Sequence, residues 1–428
     1  MMTEQTLVPH VLKGKITIPS SKSVVHRMMI CAALGNKQVR IDCKGAGNDI
    51  TATANCLKAL GAEIEITESH ITVQPLCRSN IGNTLHKLNC GESGSTLRFM
   101  LPVAAALGAY CEFSGEGRLP ERPLSPLYEE MTAHGIELSA NGTLPLLCKG
   151  LLPGDTYTID GGVSSQFISG LLMALPVTGQ ECKIIVTGRR ESTPYIDLTI
   201  SVLKLFGIEI ETTEYGYFIP EGQKFATPSE LFAEGDWSSA SFWLVAGCIG
   251  KEPIECNGID YHHSVQGDKK VVDVLRAMGA KIETGNGYTV AYPSKLNGIE
   301  TDCSNIPDAV PILSVAAAMA DSPSTLTGIG RLRLKESDRV ETTMRMLQAF
   351  GIKSSATENS LTIYPGMPVG GSVWSAADHR IAASAAIMAT VAHGNTKIDN
   401  MKCIDKSYPD FCKDYINLGG KFHSNEIL

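Results

Sequence analysis

Nine residues, Arg331–Arg339, hold four cations and two carboxylates in the order RLRLKESDR. A charge run of this density is usually a solvated face. This one leaves an apolar segment through TGIGR, as a loop leaving a strand does. Further charged side chains stand at equivalent points of a repeat described below. Asp308 follows Ile306-Pro307 and precedes the apolar run AVPILSVAAAMA; Asp378-His379-Arg380 opens another apolar run. A carboxylate at the start of a buried helix is either a cap or an acid/base group. Both readings stand for Asp308 and Asp378. Carboxylates set among several cations suit proton transfer on an anionic substrate.

Four earlier segments carry side chains suited to holding anions. SSKSVVHR puts Lys22, Ser23 and Arg27 at the start of a helix, where the dipole disfavours cations unless an anion is present. In NCGESGSTLRF, Gly91 and Gly94 permit close backbone approach, with Ser95, Thr96 and Arg98 beyond; the spacing is not that of a P-loop. The loop Gly115–Pro126 carries Arg118 and Arg122, stiffened by Pro120 and Pro123. Arginine there suits bidentate capture of carboxylate or phosphate. GGVSSQF offers Ser164, Ser165 and Gln166 ahead of an apolar helix, where plain capping also accounts for them.

The elements that must position these groups recur with one period. LKALGAEIE, MTAHGIEL, LKLFGIEIE, LRAMGAKIE, LQAFGIK and INLGGKF place glycines at 61, 135, 207, 279, 351 and 420. Each copy reads as the end of an amphipathic helix, a glycine stop, then an alternating strand. In most copies a polar turn and a second strand follow, as in HITV, GYFI, GYTV and LTIY. Between these lie six small-residue-rich helices starting near Ser23, Ser95, Ser164, Ser238, Asp308 and Asp378, which the pattern predicts to be buried. A period near 72 is too long for a solenoid and fits two domains of three units each. The turn-rich stretch Pro220–Asp236 is the expected seam. The strand KGKITIP at Lys13–Pro19 could belong to either half.

Composition excludes several classes. The 428 residues are 43% hydrophobic and 19% charged, as in a soluble globular protein. A net charge of −8 counts against a dedicated nucleic-acid binder. The 13 cysteines are odd in number, widely spread and without a CxxC pair, which predicts a reducing cytoplasm and no metal. No apolar signal core opens the chain, and Pro102 breaks the nearest approach to a membrane span at Phe99–Tyr110. A monomer acting on small molecules, with no membrane or nucleic-acid partner, is the expectation.

Taken in order, SKSVVHR, GESGSTLRF, ERP, SSQF, STPYID, GDWSSASF, IPDA, LKESDR, DHR and KSYPDF resemble the motifs of the 5-enolpyruvylshikimate-3-phosphate synthase family. The resemblance covers essentially the whole chain. It implies a two-domain inside-out α/β barrel, with three βαβαββ units per domain around buried parallel helices. Residues 1–20 and 228–428 would form one domain and 21–227 the other, with the site in the cleft between them. The implied reaction joins phosphoenolpyruvate to the 5-hydroxyl of shikimate 3-phosphate and releases phosphate, in aromatic amino acid (chorismate) biosynthesis. It proceeds by addition and elimination through a tetrahedral intermediate and needs no cofactor.

By motif match, Asp308 would take the hydroxyl proton, while Glu336 and Lys22 would serve the methylene carbon and leaving phosphate. Shikimate 3-phosphate would meet Lys22, Ser23, Arg27, Ser164, Ser165, Gln166, Ser192, Tyr195, Asp308 and Lys335. Phosphoenolpyruvate would meet Lys22, Gly94, Arg122, Gln166, Arg339, Arg380 and Lys406. The surrounding cations would make Glu336 a competent acid only once anionic substrates bind. The chain departs from common family patterns at Glu92 and Arg331, often Asn, and at Phe99, often Pro; these bear on sensitivity to glyphosate. The sibling transferase acting on UDP-N-acetylglucosamine fits less well, because Ser23 replaces its Asn and Gly115–Pro126 lacks Cys. RNA 3′-phosphate cyclase would want a catalytic His and a basic face. An inactive, substrate-binding paralogue would usually lack one of Lys22, Asp308 and Glu336.

Overall fold

The computed structural model describes residues 4–81, 84–139 and 142–423. The described residues form twelve α-helices: α1 Lys22–Ala33, α2 Asn48–Ala59, α3 Gly94–Ala106, α4 Leu127–Ala133, α5 Ser165–Ala174, α6 Thr193–Leu205, α7 Trp237–Ile249, α8 Val271–Ala277, α9 Val310–Ala318, α10 Arg339–Ala349, α11 His379–Ala389 and α12 Phe411–Asn417. They also form six four-stranded sheets of one design. In the sheet built from residues 86–149, His86–Asn89 runs parallel to Cys111–Ser114 across α3. After α4, the short strands Glu137–Leu138 and Leu146–Lys149 add an antiparallel hairpin. This βαβαββ order underlies the 72-residue period.

The chain divides into two units, residues up to Pro19 with Glu234 onward, and Ser20–Ala233. The crossings fall at 19/20 and 233/234 rather than at 20/21 and 227/228. Strand pairing gives the reason. Leu231–Phe232 lies parallel to Ile41–Asp42 and completes the first sheet of the second unit. Ser20 joins the same unit, its Oγ donating to the Ala233 carbonyl at 3.0 Å. The N-terminal segment serves two sheets of the first unit: Gly14–Thr17 pairs with Ile254–Asn257, and Gln5–Val8 with Thr396–Ile398 and Lys421–Phe422.

Each unit has its own apolar core. In the first unit α7, α9 and α11 pack on one another, and nearly every residue of the three is buried. In the second unit α3 packs on α5, and α1 on α2 and α6. Gly170 makes the α3–α5 approach possible, since a Cβ there would stand 2.3 Å from the Arg98 carbonyl oxygen. The buried helices open within two residues of the expected positions. Their side-chain caps include Ser93, Ser164, Asp236 and Asp378, so Ser95 and Ser238 sit in the first turn instead of capping it. Five of the expected helix-stop glycines adopt positive φ, from 74° to 100°. In the sixth copy the stop is Gly419, at 103°, not Gly420. Gly420 is instead required by packing, because a Cβ would stand 2.2 Å from the Tyr415 ring. Among the described residues no helix is long and apolar enough to cross a membrane.

Candidate functional site

In the first unit the charged groups converge on Arg339, which is 1% exposed at the start of α10. Its Nη1 donates to Asp308 Oδ1 at 2.8 Å, Nη2 to Glu336 Oε2 at 2.7 Å, and Nε to Asp378 Oδ2 at 2.8 Å. One guanidinium therefore holds three carboxylates from three chain segments. Asp308 also meets Lys335 Nζ at 3.3 Å and Arg380 Nη2 at 3.6 Å. Lys406 Nζ stands 4.0 Å from Glu336 Oε1. The expected residues Asp308, Lys335, Glu336, Arg339, Arg380 and Lys406 thus form one cluster.

Local structure accounts for these positions. Asp378 caps α11, accepting from the Arg380 N–H at 2.9 Å, so the carboxylate is fixed before it meets Arg339. Ser337 Oγ donates to its other side at 2.9 Å. Ala376 and Ala377 just ahead both take φ of 53°, a left-handed backbone costly for residues with a Cβ. Asp338 caps α10 through the Val340 and Glu341 N–H groups, which sets Arg339 at the first helical position. Asp308 lies in a single 3-10 turn, Pro307–Ala309, leading into α9. The two acidic helix starts differ: Asp378 is a cap, whereas Asp308 points its carboxylate at cations.

Burial alone would raise the Asp308 carboxyl, but Lys335, Arg339 and Arg380 outweigh it and hold the group well below the usual carboxylate range. Burial pulls the Lys335 ammonium down, with Asp308 opposing. Burial also works against the Arg339 charge, yet Asp378, Glu336 and Asp308 more than offset it and raise its pKa. Arg331, expected as a departure near one substrate, donates to the Ser304 carbonyl at 3.1 Å.

In the second unit the expected residues fall into three groups. Lys22 Nζ pairs with Asp49 Oδ2 at 2.8 Å, and both side chains are largely buried. Arg27, 2% exposed, donates to Thr199 Oγ1 at 2.7 Å, to the Tyr195 carbonyl at 3.0 Å and to the Ser23 carbonyl at 2.8 Å. Its guanidinium also lies 4.9 Å from the Phe99 ring centre. Burial lowers its pKa to about 10. The third group contains Gly94, Arg122 and Gln166. The Arg122 guanidinium lies against Gly94, and Gln166 Nε2 donates to Ser95 Oγ at 2.9 Å. Ser164 caps α5, and Ser165 is buried beside it. Ser192, buried at the head of α6, takes a left-handed backbone with φ of 52°, the kind of strain that collects at functional sites.

Asp49, Ser337 and Arg98, whose Nη1 donates to Gln166 Oε1 at 2.8 Å, join these groups without a substrate contact assigned from the sequence. Asp49, at the start of α2, gave no motif. Arg98 was visible as a cation one helical turn past Gly94, and that spacing was the available signal. Ser337 lay inside the charge run. Among the described residues, no group of three or more His, Cys, Asp or Glu side chains is arranged to hold a metal ion.

The family model described as EPSP synthase (3-phosphoshikimate 1-carboxyvinyltransferase) matches residues 8–415. A 3-phosphoshikimate 1-carboxyvinyltransferase from Clostridium kluyveri is 38% identical over 415 residues, covering 96% of each chain. One from Clostridioides difficile is 37% identical, covering 97% of each chain. An EPSP synthase structure from Acinetobacter baumannii matches with a TM-score of 0.80 at 24% identity, over 99% of this chain and 100% of that one. The enolpyruvyl transferase NikO from Streptomyces tendae matches with a TM-score of 0.76 at 18% identity, over 99% of each chain. These two likenesses extend the shared fold to both units. A match of this reach, with relatives near 38% identity over almost their whole length, means that the chain belongs to the EPSP synthase family.

Proposed function

We propose that this chain joins the enolpyruvyl group of phosphoenolpyruvate to the 5-hydroxyl of shikimate 3-phosphate, releasing phosphate. The observation that carries this reading is the Arg339 cluster, in which two partly accessible carboxylates sit among four cations. In the addition step the 5-hydroxyl oxygen bonds to C2 of phosphoenolpyruvate, its proton passes to a base, and C3 gains a proton to become methyl. In the elimination step the methyl group loses a proton, the vinyl bond re-forms, and the C2–O bond to phosphate breaks. We assign Asp308 as the base for the hydroxyl, and Glu336 with Lys22 to the methylene carbon and leaving phosphate. Asp308, ionised by its cations, is in the right state to accept a proton.

The first unit would hold the phosphoenolpyruvate anion with Arg339, Arg380 and Lys406, and the second with Lys22, Gly94, Arg122 and Gln166. Shikimate 3-phosphate would draw on Ser23, Arg27, Ser164, Ser165, Gln166, Ser192 and Tyr195, with Lys335 beside Asp308. Two substrates bearing phosphates and carboxylates repel one another, so a high density of cations is what their joint binding requires. The test is phosphate release with both substrates against each alone. Steady turnover only with the pair supports the transferase; tight binding without release would instead mark a binding protein that has lost the reaction.

A further inference from the structure

Arg98 lies in α3, 5% exposed, and is not among the side chains assigned to either substrate. Its Nη1 donates to Gln166 Oε1 at 2.8 Å, and its Nη2 donates to the Pro123 carbonyl at 3.0 Å. The guanidinium stands 5.1 Å from the Phe167 ring centre, and Gly170 lets α5 settle against the Arg98 carbonyl. One planar fork thus ties α3 to the head of α5 and to the backbone immediately after Arg122.

We propose that Arg98 is a positioning residue: it fixes which face of the Gln166 amide is presented and holds the loop that carries Arg122. A primary amide has one accepting and one donating end. With Oε1 engaged by a cation that can only donate, the amide must turn Nε2 the other way, where it donates to Ser95 Oγ at 2.9 Å. An NH2 end so presented suits an anionic oxygen; a flipped amide would offer an acceptor and repel it. The Pro123 bond restrains the segment in which Arg122 lies against Gly94. Lysine could keep the charge but not the fork, since it supplies no rigid pair of donors. This inference rests on the reading of Gln166 and Arg122 as substrate-binding groups.

The experiment compares the full chain with Arg98→Met, Arg98→Lys, Gln166→Ala and the Arg98→Met/Gln166→Ala double variant. It combines steady-state kinetics for both substrates with crystal structures of the Arg98 variants. Misplacing two binding groups by about an ångström predicts a loss in kcat/KM of about 100-fold for Arg98→Met. The double variant should lose less than the product of the single losses, because much of the effect passes through Gln166. Added guanidinium should restore part of the activity of Arg98→Met and less of the double variant. In the Arg98→Met crystal the Gln166 amide should leave Ser95. An amide still seated on Ser95, or fully multiplicative losses, would overturn the positioning role. Arg98→Lys supplies the same readouts should the Met variant fail to fold. Wild-type kcat/KM in Gln166→Ala would instead overturn the substrate reading of Gln166, and with it the functional half of the proposal.

Discussion

The Arg122 guanidinium covers Gly94: a Cβ added at Gly94 would stand 2.6 Å from its Nη1 and 2.8 Å from its Cζ. Gly94 itself has ordinary helical backbone, so the glycine is required by this approach and not by its φ. Arg122 is 9% exposed, and the atoms that a Cβ would meet are the far end of its flexible side chain, which can shift. Gly94→Ala should therefore displace the guanidinium while leaving the fold intact. The expected outcome is a KM for phosphoenolpyruvate raised about 10-fold or more, with the KM for shikimate 3-phosphate changed little. Steady-state kinetics with each substrate varied in turn would check this; equal effects on both would detach Arg122 from phosphoenolpyruvate.

Arg339 is the only group touching Asp308, Glu336 and Asp378 together among the ion pairs described. Replacing it with lysine keeps a charge but offers one ammonium where three directed contacts now exist. Breaking one partner of a buried pair typically costs about 3–5 kcal/mol, because the remaining charges lose their compensation. Arg339→Lys should accordingly lower the denaturation midpoint markedly and reduce turnover. Asp308→Ala should behave differently, with kcat falling about 100-fold or more while substrate binding stays nearly intact. Calorimetric titration beside turnover separates the two variants.

The contrast between these groups shows what sequence carried. The repeat was readable because each unit ends a helix with a left-handed glycine and buries a helix of small residues, both local features. Sequence points to Gly420 where the stop is Gly419, because two adjacent glycines look alike until the Tyr415 ring shows which one packs. The pairing of Leu231–Phe232 with Ile41–Asp42 was not readable, since register between distant segments leaves no local pattern. In the site, the cations and the carboxylates of Asp308, Glu336 and Asp378 are identifiable by type, whereas Asp49 is not. That a single guanidinium gathers three carboxylates is a property of convergence, and so is the pairing of Lys22 with Asp49.

His26 offers a pH-dependent stability measurement independent of catalysis. The ring is 1% exposed, with Nδ1 bonded to Thr53 Oγ1 at 2.7 Å and its edge set against Phe99. Burial lowers its pKa from 6.5 to about 3, with Asp49 opposing and Lys22 and Arg27 reinforcing the shift. Between those values the unfolded chain binds a proton that the folded chain refuses, so stability falls on acidification from 6.5 toward 3 and is complete above 6.5. One proton corresponds to a slope of about 1.4 kcal/mol per pH unit. His26→Gln should remove that part of the slope. Denaturant titrations of both proteins at pH 5 and 7.5 would show it; parallel pH profiles would mean that His26 titrates alike in the folded and unfolded chain.

Asp308 should titrate differently with and without substrates. Within this cluster its carboxyl lies well below the usual range, because Lys335, Arg339 and Arg380 overcome the effect of burial. The ionised group therefore contributes its full stabilisation above about pH 4. That contribution is lost only as the pH falls through the depressed folded value. A base so stabilised is weak, however, and proton transfer favours a group whose pKa is nearer the working pH. Substrate phosphates and carboxylates that engage Lys335 and Arg380 would share their charge and let the Asp308 pKa rise. Carboxyl-carbon NMR of aspartate-labelled protein, with Asp308→Asn supplying the assignment, reads this directly. The expected result is a titration midpoint for Asp308 at higher pH in the presence of shikimate 3-phosphate than in its absence. The same midpoint in both states would mean that Asp308 remains bound to its cations throughout, and the hydroxyl proton would have to be assigned to another group.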